Sequence, residues 1–344
     1  MSFSRRWRGS KSSAMVRKMS IASPVPSSAT GEVATEEALG GALMHATVSG
    51  LAEYVADDDS DGIRILRELI GNLGWQSFET ALPPGTEPRY PSEDLLGIMP
   101  RDGRKPVDMR EVIARLVDGS RFLEFKAAHG PGTVCAHAGI HGMPVGFLTN
   151  NAPLDPAGSV KATHFIQACC QSGIPLVYLQ NTTGYIVGTE SERGGMIKHG
   201  SKMIQAVANA SVPQVTIQCG ASFGAGNYGM CGRGFAPRFL FSWPNARTAV
   251  MGAEQAATTM AIVMEESARA RGLEPDRAQI EDMRTRIVET FERQTSSFYT
   301  SGRMLDDGII DPRDTRRVLA CVLDLVRRAE RVTLRPLDFG VARP

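Results

Sequence analysis

Apolar residues along this chain recur with two periods, and the order of those periods outlines a fold. Thr133–Ile140 and Met143–Asn150 read as strands on either side of His141-Gly142, a pair suited to a tight hairpin turn. Residues 157–171 switch to helical spacing, with Ala157, Val160, His164, Phe165, Ala168 and Cys169 along one side, which makes His164 a core histidine. Residues 174–180 then read as a strand, 195–209 as a helix, and the β-branched run from Val212 to Cys219 as another strand. Upstream, Asp108 is an N-cap type residue ahead of apolar positions at helical spacing as far as Val117. Further helices are predicted over about 253–271, 277–297 and 312–328. Strands alternating with helices predict an α/β fold with largely parallel strands. The pattern alone does not separate a doubly wound sheet from a spiral of β-β-α units.

The N-terminal third departs from this alternation. Residues 1–31 carry Arg5, Arg6, Arg8, Lys11, Arg17 and Lys18 among serines, with no acid before Glu32. Two readings stand: a mitochondrial transit peptide, or a disordered leader outside the fold. From Glu32 to about Trp75 the chain reads as a small helical piece, in which Asp57, Asp58, Asp59 and Asp61 precede an amphipathic run. The acid cluster lacks the glycine and distal glutamate of a calcium loop, so it is read as a helix N-terminus. Residues 82–92 contain Pro83, Pro84, Pro88 and Pro91 and read as a linker, leaving residues 93–344 as the main domain.

Bulk properties narrow the partners. A net charge of +1 gives no reason to expect nucleic acid or an anionic membrane surface, and no apolar run reaches the length of a bilayer span. The cysteines Cys135, Cys169, Cys170, Cys219, Cys231 and Cys321 include no C-x-x-C pair, which argues against zinc and for buried, reduced thiols. The histidines His45, His129, His137, His141, His164 and His199 show no metal-ligand spacing.

The candidate chemistry lies after the Val212 strand. Five glycines fall in the eleven residues from Gly224 to Gly234, within the string Phe-Gly-Ala-Gly-Asn-Tyr-Gly-Met-Cys-Gly-Arg that starts at Phe223. Such a segment lets a ligand approach the main chain and, where it opens a helix, presents unpaired N–H groups to an anion. A tight packing turn is the competing reading. Two further segments accompany it: Gln180-Asn181-Thr182-Thr183-Gly184-Tyr185-Ile186-Val187-Gly188 and Gly194-Gly195-Met196-Ile197-Lys198-His199-Gly200, with Trp243-Pro244-Asn245-Ala246-Arg247 downstream.

In this order and spacing, these segments resemble the carboxyltransferase β subunits of biotin-dependent acyl-CoA carboxylases, the 3-methylcrotonyl-CoA branch first and the geranyl-CoA branch close behind. The resemblance runs from about Glu32 to about Arg327. It implies a crotonase-like (ClpP/crotonase) fold, a spiral of β-β-α units. It also implies transfer of a carboxyl group from carboxybiotin to an acyl-CoA, with 3-methylcrotonyl-CoA as the expected acceptor. The amides of Ala225 and Gly226 would form the oxyanion pair facing the biotin carbonyl. Gly184, Tyr185 and Gly188 would line the approach of biotin, flanked by Phe223, Gly224 and Asn227. Removing one such donor typically costs about 3 kcal/mol, roughly a hundredfold in rate. His199, Lys198, Arg233 and Cys231 are secondary candidates whose packing roles are the simpler reading.

The resemblance also implies an assembly. ATP and bicarbonate would be handled by a partner, the biotin carboxylase and biotin carrier α subunit, and the chain would self-associate or join intact β subunits. Residues 32–81 would be the end of an N-terminal carboxyltransferase domain that supplies the CoA pocket, and residues 93–344 the C-terminal domain. Alone, the chain would then not carboxylate an acyl-CoA at an appreciable rate. The alternative is a non-catalytic half-subunit that binds intact carboxylase subunits. In a eukaryote the location would be the mitochondrial matrix, otherwise the cytoplasm.

Overall fold

A computed structural model describes residues 35, 41–47, 55–71, 85–100 and 105–331. The basic leader over residues 1–31 lies outside the described residues. The chain divides into two units, Met1–Thr80 with Thr333–Pro344, and Ala81–Val332. The first contains α1 (Ala42–Thr47) and α2 (Asp59–Gly71). The acids ahead of α2 act as its cap: the Asp61 amide donates to Asp58 Oδ1 at 2.8 Å, and the Asp61 carboxylate pairs with Arg64 at 2.7 Å.

In the second unit, α3 (Leu95–Ile98) and α4 (Met109–Leu116) precede a seven-stranded sheet. Asp108 caps α4 as the sequence predicts, accepting the Arg110 amide at 3.1 Å. The strands are β1 (Phe122–Glu124), β2 (Thr133–Ile140) and β3 (Met143–Asn150), followed after α5 (Pro156–Ser172) by β4 (Leu176–Thr182). Next come α6 (Thr189–Arg193), α7 (Met196–Ala208), β5 (Gln214–Phe223), α8 (Gly224–Gly229), β6 (Phe239–Ser242) and β7 (Arg247–Ala249). Three helices, α9 (Ala253–Ala270), α10 (Arg277–Gln294) and α11 (Ser297–Gly302), lead to α12 (Thr315–Arg331).

The sheet opens antiparallel and continues parallel. β2 and β3 pair residue for residue from Thr133↔Asn150 to Ile140↔Met143, and His141 and Gly142 turn between them at φ 47° and 76°. The order β1-β2-β3-β4-β5-β6 is parallel from β3 onward, with β7 beside the far end of β5. Each face carries its own core. Val134, Phe147, Val177, Leu179, Val215 and Ile217 pack against α4 and α12 through Val112, Ile113, Leu319 and Leu323. On the opposite face Cys135, Leu148, Leu176 and Tyr178 pack against α5 and α7 through Phe165, Ile166, Met203 and Val207.

Several expectations are corrected. β5 does not stop at Cys219 but runs to Phe223, because Ala221, Ser222 and Phe223 gain a second partner in β7. Pairing jumps from Gln180↔Gln218 to Thr182↔Ser222, so β5 bulges by two residues opposite Asn181. The Asn181 side chain fills that bulge and accepts the Ala221 amide at 3.3 Å. His164 is exposed rather than in the core, with its Nδ1 3.0 Å from Lys126 Nζ. Helix α5 packs against both β2 and α7, and its buried sector is therefore wide enough to include Lys161. Of the cysteines, Cys321 is exposed and Cys170 half-buried, while the other four are buried and all six are free thiols.

The described part of the proline-rich segment is held to the body. Arg316 on α12 donates to the carbonyls of Leu116 (2.8 Å) and Thr86 (3.0 Å) and pairs with Asp118 at 2.7 Å. Asp118 in turn accepts the amides of His141 (3.0 Å) and Gly142 (2.7 Å), which ties the hairpin turn to the same cluster.

Candidate active site

Parallel strands place their connecting loops on one edge of a sheet, and the candidate residues gather there. The end of β4 leads into Thr183–Val187, and the end of β5 leads directly into α8. Phe223 keeps extended backbone at φ −114°, ψ 143°, and the next residue starts the helix. The amides of Gly224, Ala225 and Gly226 therefore lie in a first turn, where no intrahelical acceptor exists. Among the described residues, neither the Ala225 nor the Gly226 amide donates to another segment of the backbone.

A cavity of about 480 Å³ opens beside this turn, with Gly184, Tyr185, Phe223, Gly224 and Ala225 in its wall. Its remaining surface is mostly apolar and includes Ile186, Val187, Met196, Ile197 and Val250. The structure thus brings five of the eight predicted residues to one cavity. Gly188, Gly226 and Asn227 stand outside its wall: Gly188 precedes α6, Gly226 is buried behind Ala225, and Asn227 turns inward.

Close approach explains why small residues occupy these positions. A Cβ on Gly226 would lie 2.8 Å from Gly184 Cα and 3.0 Å from Thr182 Oγ1, so the β4 loop and α8 can touch only through a glycine. Gly184, at φ 125°, adopts a backbone that side-chain-bearing residues avoid. Tyr185 reaches past the cavity so that its hydroxyl is buried against Gly229, and burial pushes its ionisation well above the ordinary tyrosine value. Burial likewise pushes the Cys231 thiol up to about 12, which leaves it unreactive near neutral pH. Arg233 is paired with Asp307 at 3.1 Å, and His199 packs its ring beside Gly195.

Behind α8 lies a polar chain absent from the sequence reading except for Asn227. Asn227 Nδ2 donates to Ser222 Oγ at 2.7 Å, and Ser222 Oγ donates to Gln180 Oε1 at 2.6 Å. Gln180 Nε2 then donates to the Met230 carbonyl at 2.7 Å. Gln180 and Ser222 are fully buried. The available signal was a polar residue closing each of two apolar runs, Gln180 after Val-Tyr-Leu and Ser222 before the glycine string.

The carboxyl transferase domain model matches residues 8–339. The chain belongs to the carboxyl transferase domain family. It is 49% identical over 304 residues to a probable biotin-dependent acyl-coenzyme A carboxylase β2 subunit of Mycobacterium tuberculosis, covering 88% of this chain and 58% of that one. It is 46% identical over 301 residues to the mitochondrial methylcrotonoyl-CoA carboxylase β chain of Dictyostelium discoideum, covering 87% of this chain and 51% of that one. Among solved structures it superposes on the geranyl-CoA carboxylase β subunit of P. aeruginosa with TM-score 0.77 and 50% identity, over 91% of this chain and 59% of that one. The chain thus spans between half and three-fifths of the length of these relatives. Membership in the carboxyl transferase family fixes the crotonase-like spiral that strand pattern alone left open, and its β-β-α unit is visible as β2-β3-α5.

Proposed function

We propose that the chain is a carboxyltransferase component of a biotin-dependent acyl-CoA carboxylase, with 3-methylcrotonyl-CoA as its acyl acceptor. The observation that carries this reading is the first turn of α8, whose Ala225 and Gly226 amides have no acceptor in another backbone segment among the described residues and whose Ala225 lies in the wall of an apolar cavity, in a member of the carboxyl transferase family. The cavity suits a bicyclic ring with an apolar body and one polar carbonyl. Tyr185, Ile186, Val187, Ile197 and Val250 would hold the ring, and the two amides would hold its carbonyl oxygen. Carboxybiotin, when bound, supplies a transferable carboxyl group. The apolar wall keeps water from that group, and the amides oppose charge that gathers on oxygen during transfer.

In this reading residues 93–344 form the C-terminal carboxyltransferase domain, and residues 32–81 belong to the end of an N-terminal one that completes the CoA pocket. An α subunit brings biotin and uses ATP and bicarbonate, and in a eukaryote the assembly works in the mitochondrial matrix.

The test is to capture the native assembly through this chain, probe it for a biotinylated subunit, and measure transfer of labelled bicarbonate to 3-methylcrotonyl-, geranyl- and propionyl-CoA. A biotinylated partner and preferential labelling of 3-methylcrotonyl-CoA are expected. Labelling of another acyl-CoA would overturn the substrate, and labelling of none would overturn the enzymatic reading in favour of a binding role.

A further inference from the structure

Helix α8 spans six residues, too short to hold its own geometry in water, so its orientation must come from its surroundings. The chain from Asn227 through Ser222 and Gln180 to the Met230 carbonyl begins on this turn and ends one residue past it. We propose that Gln180, Ser222 and Asn227 are positioning residues that clamp this turn and aim the Ala225 and Gly226 amides into the cavity. The inference rests on the carboxyl-transfer reading above.

Proton directions in the chain admit one arrangement. The Ser222 hydroxyl has a single hydrogen, given to Gln180 Oε1, and accepts from Asn227 Nδ2. Gln180 is thereby fixed with its NH2 toward Met230, since a flipped amide would face the Met230 carbonyl with oxygen. The Asn227 side chain packs over Gly232, in space that any Cβ at that position would occupy. The backbone adds a matching tether, with the Gly232 amide donating to the Asn227 carbonyl at 2.8 Å. Both strands that flank the site thus hold the turn, β4 through Gln180 and β5 through Ser222. Loss of the Ser222 hydroxyl breaks two of the three side-chain links and leaves Gln180 Oε1 and Asn227 Nδ2 without partners.

The test uses the native assembly carrying Ser222→Ala, Ser222→Thr or Asn227→Asp, with two independent readouts. The first is kinetic: Ser222→Ala is expected to lower kcat by about a hundredfold, with KM for acyl-CoA changed by less than about threefold. Ser222→Thr, which keeps the hydroxyl, restores most of kcat. The second readout needs no activity: amide hydrogen exchange across residues 222–232 is expected to quicken about tenfold in Ser222→Ala, while β2 and β3 exchange as in wild type. Should Ser222→Ala fail to assemble, Asn227→Asp carries the test. Its ionised carboxylate cannot donate to Ser222 but its protonated form can, so the variant-to-wild-type ratio of kcat rises as pH falls.

An unchanged kcat and unchanged exchange in Ser222→Ala, or a pH-independent ratio in Asn227→Asp, overturns the positioning role while the carboxyl-transfer reading stands. Quickened exchange in Ser222→Ala, alongside a wild-type assembly that transfers no carboxyl group, overturns the functional reading and leaves the clamp as a purely structural one, which also removes the positioning role.

Discussion

Gly226→Ala places one methyl group where the β4 loop meets α8. The added Cβ would sit 2.8 Å from Gly184 Cα and 3.0 and 3.1 Å from Thr182 Oγ1 and Cγ2. Carbon atoms rest at about 3.5–4.0 Å, so the contact with Gly184 falls short by about 0.7 Å. Neither neighbour can yield through a flexible tip: one is backbone and Thr182 is fully buried. The α8 turn therefore moves, and overpacking of this kind costs about 1–3 kcal/mol. The same shift takes the Gly226 amide out of the ~2.7–3.1 Å range that a developing oxyanion requires. With misplacement by 1 Å costing about 10²-fold, kcat for labelled carboxyl transfer is expected to fall about 50-fold, accompanied by a Tm decrease of about 2–8 °C. The assay is steady-state transfer by the native assembly, with thermal unfolding run on the same preparation. A lowered Tm with kcat intact would show that the methyl group is felt but the amide is not used, and would falsify the oxyanion role of Gly226.

Two further substitutions test the scaffold. Burial raises the Asp118 carboxyl, but hydrogen bonds from the Gly142 amide, Arg316 and the His141 amide outweigh it and hold the group below the ordinary carboxylate value. A depressed folded-state pKa contributes stability above the unfolded value of about 3.9 and loses it as pH falls through the folded one. The Tm gap between wild type and Asp118→Asn should thus be wide at pH 7 and close below about pH 4; a gap constant with pH would refute the assignment. Lys161→Met removes a fully buried amine that burial pushes below its ordinary pKa, and whose nearest carboxylate oxygen, on Glu124, is 3.7 Å away. Glu124 keeps two 2.8 Å bonds from Arg110, so Tm should hold or rise, and a fall of more than about 3 °C would contradict a net cost of burying the charge.

The sequence made legible what local chemistry dictates. His141-Gly142 marks the hairpin because two successive positive φ values suit few other pairs, and Asp108 marks the start of α4 because a carboxylate there meets free amides. The glycine string located the site because close approach of α8 to the β4 loop demands missing side chains. What stayed hidden depends on partners far apart in the chain. Which face of α5 turns inward, burying Lys161 and leaving His164 exposed, is set by its packing against both β2 and α7. The last residues of β5 read as loop because Gly220 and Ala221 have low strand preference, yet Ala221, Ser222 and Phe223 pair with β7 beside a bulge filled by Asn181. Gln180 and Ser222 lie 42 residues apart, and only the pairing of β4 with β5 makes them neighbours.

The bulge in β5 works as a frame setter. Between Gln218 and Ser222 the strand spends three residues where β4 spends one, and the surplus of two preserves the alternation of faces. An even surplus leaves Ser222 on the side of α8, whereas an odd one would rotate it, and every residue after it, to the opposite face. The same surplus separates the stretch of β5 that pairs with β6 from the stretch that pairs with β7. A one-residue insertion or deletion between Cys219 and Ala221 would therefore turn the end of β5 over, and a side chain on Gly220 would collide with the Asn181 amide that fills the bulge.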